Sequence, residues 1–301
     1  MSGRQFDEIA NGRLLAGVDR VAAESPVSAR TAAGLLALLS VAATTLYRVV
    51  HNAPGTLPGG VTDLAAVGLP VAVVGPAFGA LLLATAADRP VERVGLAFAG
   101  SFGLVALASP AAWLPAAVGM VGGVTLVAWS EVRELGRSAS RTEIRRTGVV
   151  AVLAGSVVVS LAATGGIAAG TFRPLGTVLA LVGVGATPLF VGSDRPSLIV
   201  GALAAVLTFA VATSVPYVAG AVLLIGGGVV GAPIGLVVLA AGGGVAGLTR
   251  AFRTRDTDAV LAVGTLLATG VPGTLLRALG VVVAVALLVG SDVETTGGER
   301  R

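Results

Sequence analysis

Uncharged apolar runs of roughly 17 to 25 residues recur along the whole chain, each long enough to cross the ~30 Å hydrocarbon core of a bilayer as a helix. Of its 301 residues, 55% are hydrophobic and only 12% charged, with a mean hydropathy of +0.94. A soluble core cannot bury that much apolar surface. Unpaired backbone groups are costly in lipid, so only helices and closed barrels span it, and the strand alternation of a barrel is absent. The expected fold is therefore all-α, a polytopic transmembrane helical bundle.

Spans are expected at about 30–50, 62–86, 92–108, 111–130, 147–168, 174–191, 196–214 and from 216 onward, followed by a hairpin at roughly 258–272 and 274–290 that turns at Pro272-Gly273. The 34 residues from Val215 to Leu248 are too long for one straight span and barely enough for two, with Pro233 in their middle. One broken or partly re-entrant crossing gives ten spans, and two crossings give eleven. The single crossing is preferred because it keeps Arg250, Arg253 and Arg255 on the basic side of the membrane.

The distribution of arginine sets the expected orientation. With the N-terminus inside, Arg4, Arg13, Arg20, Arg30, Arg89, Arg93, Arg133, Arg137, Arg141, Arg145, Arg146 and Arg195 fall on the cytoplasmic side, and only Arg48 and Arg173 fall opposite. The expected location is the cell membrane, multi-pass, with a cytoplasmic N-terminus. Positive-inside topology also explains the net charge of +4 without invoking nucleic acid, because no basic soluble domain is present. Trp113 and Trp129 bracket the fourth span as interfacial anchors.

Within this frame the chain divides into a cytoplasmic tail over 1–29, a first four-span unit over 30–130, a basic linker over 131–146, a second four-span unit over 147–249, a basic loop with a terminal hairpin over 250–290, and a polar, disordered tail over 291–301. The spacing of Phe6, Ala10, Leu14, Val18 and Ala22 allows an amphipathic helix on the membrane surface, against an unstructured tail as the other reading. The two units are expected to be tandem repeats. Asp88-Arg89-Pro90 recurs as Asp194-Arg195-Pro196, and at the same offset of 106 residues Val94-Gly95 recurs as Val200-Gly201. An even number of crossings per unit makes the copies parallel.

Few chemistries are open to these residues. There is no cysteine, every basic side chain is arginine, and His51 is the only histidine. Thiol chemistry, Schiff bases, a Walker lysine and histidine-based metal sites are thereby excluded, and neither cofactor nor metal is expected. Both Gly226–Gly231 and Gly242–Gly247 satisfy G-x-G-x-x-G, but neither has the strand and acidic partner of a dinucleotide site, so close helix packing is expected, as at Gly75, Gly79, Gly119 and Gly123. Arg277, four residues after the Pro272-Gly273 turn, is expected to snorkel to the interface, with a functional intramembrane charge as the other reading. No carboxylate falls clearly inside a span, which argues against an ion-driven carrier and leaves backbone groups at a broken helix within 215–249 as the place a carrier would bind.

The longest polar interruption runs from Trp129 to Thr147 and carries Arg133, Arg137, Arg141 and Arg145 at every fourth position, one drifting face of a helix. These arginines are expected to contact anionic lipid headgroups or a cytoplasmic or membrane protein partner. Glu134 with Arg137, and Glu143 with Arg146, stand at helical pairing distance. Trp129, Glu131, Glu134, the Leu135-Gly136-Arg137 step, Arg141 and Glu143 resemble a motif in an uncharacterised family of haloarchaeal multi-pass membrane proteins, over about residues 62–170, with Ser130 standing where that motif carries an acidic residue. The resemblance implies a membrane subunit of a system that includes an AAA-type ATPase, von Willebrand A-like proteins and a transglutaminase-like protein. The expectation is a non-enzymatic subunit or scaffold of a membrane complex, with a permease-like carrier of a small solute as the alternative.

Overall fold

The computed structural model describes residues 28–51, 59–135, 140–229 and 231–297, which are mostly helical with no strand among them. The tail expected to form an interfacial helix lies outside the described residues. In chain order the helices are α1 (Ala29–His51), α2 (Gly59–Ala86), α3 (Pro90–Ala108), α4 (Trp113–Leu135), α5 (Arg141–Thr164), α6 (Ala169–Gly185), α7 (Thr187–Val191), α8 (Arg195–Ser214), α9 (Pro216–Ile225), α10 (Ile234–Thr254), α11 (Thr257–Thr269) and α12 (Leu275–Gly297). A single 3₁₀ turn, Pro110–Ala112, leads into α4.

Local sequence explains where several of these helices begin. Ser140 and Glu143 form a capping box, Ser140 Oγ accepting from the Glu143 amide at 3.2 Å while Glu143 Oε2 accepts from the Ser140 amide at 2.9 Å. Asp194 and Ser197 do the same for α8, and Asp256 accepts from the Ala259 amide to start α11. Proline in the first turn opens α3, whose preceding Arg89 is extended. These starts gather at one end of the bundle. There Arg30 pairs with Asp258 at 3.0 Å, Arg89 with Glu131, and Arg250 with Asp194 at 2.9 Å. The opposite end holds the C-terminus of α5, the start of α6 and the α11–α12 turn, where Thr164 bonds the Gly273 carbonyl.

Seven helices among the described residues are long and apolar enough to cross a membrane, and this corrects the expectation of ten spans. These are α1, α3, α4, α5, the α6–α7 pair, α8 and α10. Three expected spans are not among these seven. Helix α2 is 28 residues long, with Val74–Ala86 as its apolar part among the described residues, α11 covers 13 residues, and Leu275–Gly290 is the corresponding part of α12. At 1.5 Å per residue, α11 is about 20 Å long. A helix as short as α11 is tolerated because its buried face, including Ala259, Ala262, Val263 and Leu266, meets protein and not lipid.

Helix α12 shows this most clearly, since every side chain from Arg277 to Val289 that has one is at most 2% exposed. It packs against α1, α2, α3, α4, α5 and α11 and forms the axis of the bundle. Its backbone helix continues to Gly297, into the stretch expected to be a disordered tail.

Glycine contacts hold the crossings close. On α10, a Cβ at Gly243 would lie 1.9 Å from the Gly185 carbonyl oxygen of α6, so only glycine allows this approach. The neighbouring Gly242 faces α8 and Gly244 faces Leu267 of α11, so one glycine triplet meets three helices. The packing expectation thus holds for Gly242–Gly247. It fails for Gly226–Gly231, where the helix stops.

Candidate functional site

Between α9 and α10 the chain leaves helical geometry from Gly226 to Pro233, with Gly227 at φ 77° and Gly231 at φ 89°. Both values lie in the left-handed region that glycine adopts without steric penalty. Helix α9 has ten residues and no buried side chain, and among the described residues of 215–249 only α10 is long and apolar enough to cross a membrane. The break returns to the bundle at the α11–α12 turn, where the Val271 amide donates to the Gly226 carbonyl at 3.0 Å.

A cavity of about 620 Å³ opens beside this break, within the size range of small-molecule sites. Its walls come from the end of α5 (Ser160, Thr164), the start of α6 (Gly170, Arg173, Thr177), the break (Gly227, Gly228) and the α11–α12 turn (Val271, Thr274). The rim residues Thr164, Gly170 and Arg173 are exposed, whereas Ser160, Thr177 and Val271 at the floor are buried. The Thr177 hydroxyl donates to the Arg173 carbonyl and that of Thr164 to the Ser160 and Gly273 carbonyls. The Ser160 hydroxyl, packed where a Cβ at Gly176 would sit, has no partner among the described residues.

Arg277 lies behind the glycine wall of the cavity and is 2% exposed, which corrects the expectation that it snorkels to the interface. Its Nη2 donates to the Ile225 carbonyl, the last residue of α9, and its backbone amide is 3.4 Å from Thr274 Oγ1. A cation at a helix C-terminus meets the negative end of the helix dipole, so the charge is held by the broken element and not by water. Nη1 has no partner among the described residues, and a Cβ at Gly227 would lie 2.6 Å from it.

The arginines expected to form a docking face are only partly brought together. Arg133 at the end of α4 and Arg141 and Arg145 on the first turns of α5 are exposed at the arginine-rich end, and Arg137 lies outside the described residues. Glu143 caps α5, and Arg146 stacks over Phe190 at 5.3 Å. Sequence reasoning missed Glu92, placed at a span edge, which is 6% exposed within a group containing Arg30, Asp88 and Arg89. Asp194 is held below its ordinary range first by the Ser197 amide bond, with the Ser197 hydroxyl, Arg253 and Arg250 adding to it. Among the described residues no group of three or more histidine, cysteine or acidic side chains could hold a metal.

From residue 30 to residue 289 the chain matches, and belongs to, an integral membrane family of unknown function, DUF8068. The match extends well beyond the 62–170 stretch that carried the resemblance in sequence. No curated protein and no solved structure matches the chain.

Proposed function

Starting from membership of that membrane family, we propose that the protein is a non-enzymatic, permease-like carrier that binds a small solute in the cavity beside the Gly226–Pro233 break. The observation that carries this reading is the coincidence of a cavity of about 620 Å³ with irregular backbone in the bundle. Broken helices at membrane depth recur where carriers bind solutes, because the freed backbone groups need polar partners. With the arginine-rich end in the cytoplasm, as the positive-inside rule directs, the cavity faces the outside. The tandem-repeat reading belongs to the same proposal. Its support is that the paired residues Gly95 and Gly201 make like contacts, a Cβ on each falling within 2.7 Å of the Gly123 or Gly242 carbonyl oxygen.

Reconstituted proteoliposomes test the carrier. Saturable uptake of a small solute in the native protein, lost in a cavity-filling Gly228→Trp variant, supports it, while equal uptake in both variants overturns it. The second reading, a subunit or scaffold, draws on the exposure of Arg133, Arg141 and Arg145 on one end. Reversing the charge of Arg133, Arg137, Arg141 and Arg145 together should then abolish co-purification of a cytoplasmic or membrane partner, or its preference for anionic lipid. Retention of both interactions removes that reading.

A further inference from the structure

We infer that the cavity beside the break is an anion site, taking a solute that carries a carboxylate or an oxyanion group. This rests on the carrier reading above and adds the class of solute. The lining contains no carboxylate, and its one ionisable residue is Arg173, which is exposed and has no hydrogen-bond or ion-pair partner among the described residues. The guanidinium of Arg277 stands directly behind Gly227 with Nη1 unsatisfied. A cationic solute would meet two arginines and nothing to neutralise it.

The neutral groups point the same way when donors are counted. Helix α6 starts at the cavity without a side-chain cap, its N-cap Ala168 being left-handed at φ 42°. The first amides of a helix have no intrahelical acceptor and form its positive end, and Gly170 among them lines the cavity. The hydroxyl of Ser160 is unpartnered and the residue is 5% exposed. Thr274 accepts from the Arg277 amide, which leaves its own proton to donate. Hydroxyl protons of Thr164 and Thr177 are already used on backbone carbonyls, so the uncommitted protons belong to Ser160, Thr274 and Arg173. A helix start alone would not define a site. Here it coincides with a buried, unpartnered hydroxyl and a buried guanidinium.

Calorimetric titration of the full chain in nanodiscs of zwitterionic lipid, at constant ionic strength, provides the test. Sodium succinate and sodium phosphate are the probes, with choline and glycerol as the cationic and neutral comparisons. The expected result is saturable binding of succinate or phosphate, weakened tenfold or more by Arg173→Gln and about threefold by Ser160→Ala, and unchanged by Arg195→Gln at the opposite end. Succinate alone identifies a carboxylate site and phosphate alone an oxyanion site. No saturable anion binding, or equal affinity in the native and Arg173→Gln proteins, overturns the inference. Proteoliposome uptake separates this from the carrier reading: uptake of glycerol or choline that Gly228→Trp blocks, without anion binding, removes the anion class and leaves the carrier standing. Arg173 is exposed, so its substitution leaves folding intact, as a matching unfolding midpoint will verify.

Discussion

Gly243→Ala is the sharpest test of the packing that holds the bundle together. The new methyl carbon would lie 1.9 Å from the Gly185 carbonyl oxygen and 2.6 Å from its carbonyl carbon. A carbon needs roughly 3.3 Å from an oxygen, so α6 and α10 must separate by about 1.4 Å. The obstacle is backbone and cannot rotate away, which puts the penalty at the upper end of overpacking, about 3 kcal/mol. That separation also breaks the 3.2 Å bond from Thr187 Oγ1 to the Gly243 carbonyl, worth about 1 kcal/mol. Removing a helical glycine returns about 1 kcal/mol, leaving a net loss of about 3 kcal/mol. Gly122 of α4, with nothing within 4 Å of its Cβ position, supplies the control, and Gly122→Ala should gain up to about 1 kcal/mol. The two variants should differ by about 4 kcal/mol, nearly a thousandfold in the folding equilibrium, in SDS titrations of mixed micelles followed by circular dichroism. A Gly243→Ala protein as stable as Gly122→Ala would refute the contact.

Arg277→Ala should cost about 3 kcal/mol in the same titration, since it strips the Ile225 carbonyl of its partner and leaves a void beside Gly227; a loss under about 0.5 kcal/mol would show that the buried guanidinium does not hold the break. Asp194 has a folded pKa below its ordinary 3.8, so the stability it contributes is complete above that value and is lost as pH falls through the lowered one. Thermal unfolding in detergent should accordingly be flat from about pH 7 to pH 5 and drop below about pH 4, with a smaller drop in Asp194→Asn, and identical profiles would refute the assignment. The orientation is testable with single cysteines in the cysteine-free chain: a membrane-impermeant maleimide should reach His51→Cys from outside and Ser138→Cys only after permeabilisation, and the reverse pattern inverts the topology.

The helices were legible because lipid permits an apolar chain little else, and several of their starts were legible because capping is local. Ser140 with Glu143, and Asp194 with Ser197, lie three residues apart and specify their own geometry. The break was legible too, as glycine and Pro233 interrupt a run too long for one span and too short for two. The burial of α12 was not. A run such as Val281 to Val289 has the same composition whether lipid or protein surrounds it, and only the finished packing decides. The overcount of spans has this origin, because a helix inside the bundle need not match the bilayer thickness. The environment of Arg277 was hidden for a related reason: its partner Ile225 is 52 residues away, and proximity to a turn in sequence suggested water where the fold supplies a carbonyl. Ser160 and Arg173 reach the cavity from helices that carry no local mark of it.

Whether that cavity is a packing defect or a site can be argued from the backbone around it. Three non-helical stretches converge there: the α5–α6 connection, the Gly226–Pro233 break and the α11–α12 turn. Each frees amides and carbonyls that the helix ladders leave without partners. Some pair across the junction, as Val271 does with Gly226, Thr164 with Gly273 and Arg277 with Ile225. A defect left by poor packing would be lined by apolar side chains and stay dry. This one has apolar walls from Leu224, Val229 and Val271, but hydroxyls, glycine backbone and Arg173 share the lining, with a second guanidinium kept behind it. Keeping a buried arginine in a bundle otherwise filled by alanine, valine and leucine is costly, and here the Ile225 carbonyl at the end of α9 offsets part of that cost. The break, the buried charge and the cavity adjoin one another, and the site proposed above draws on all three.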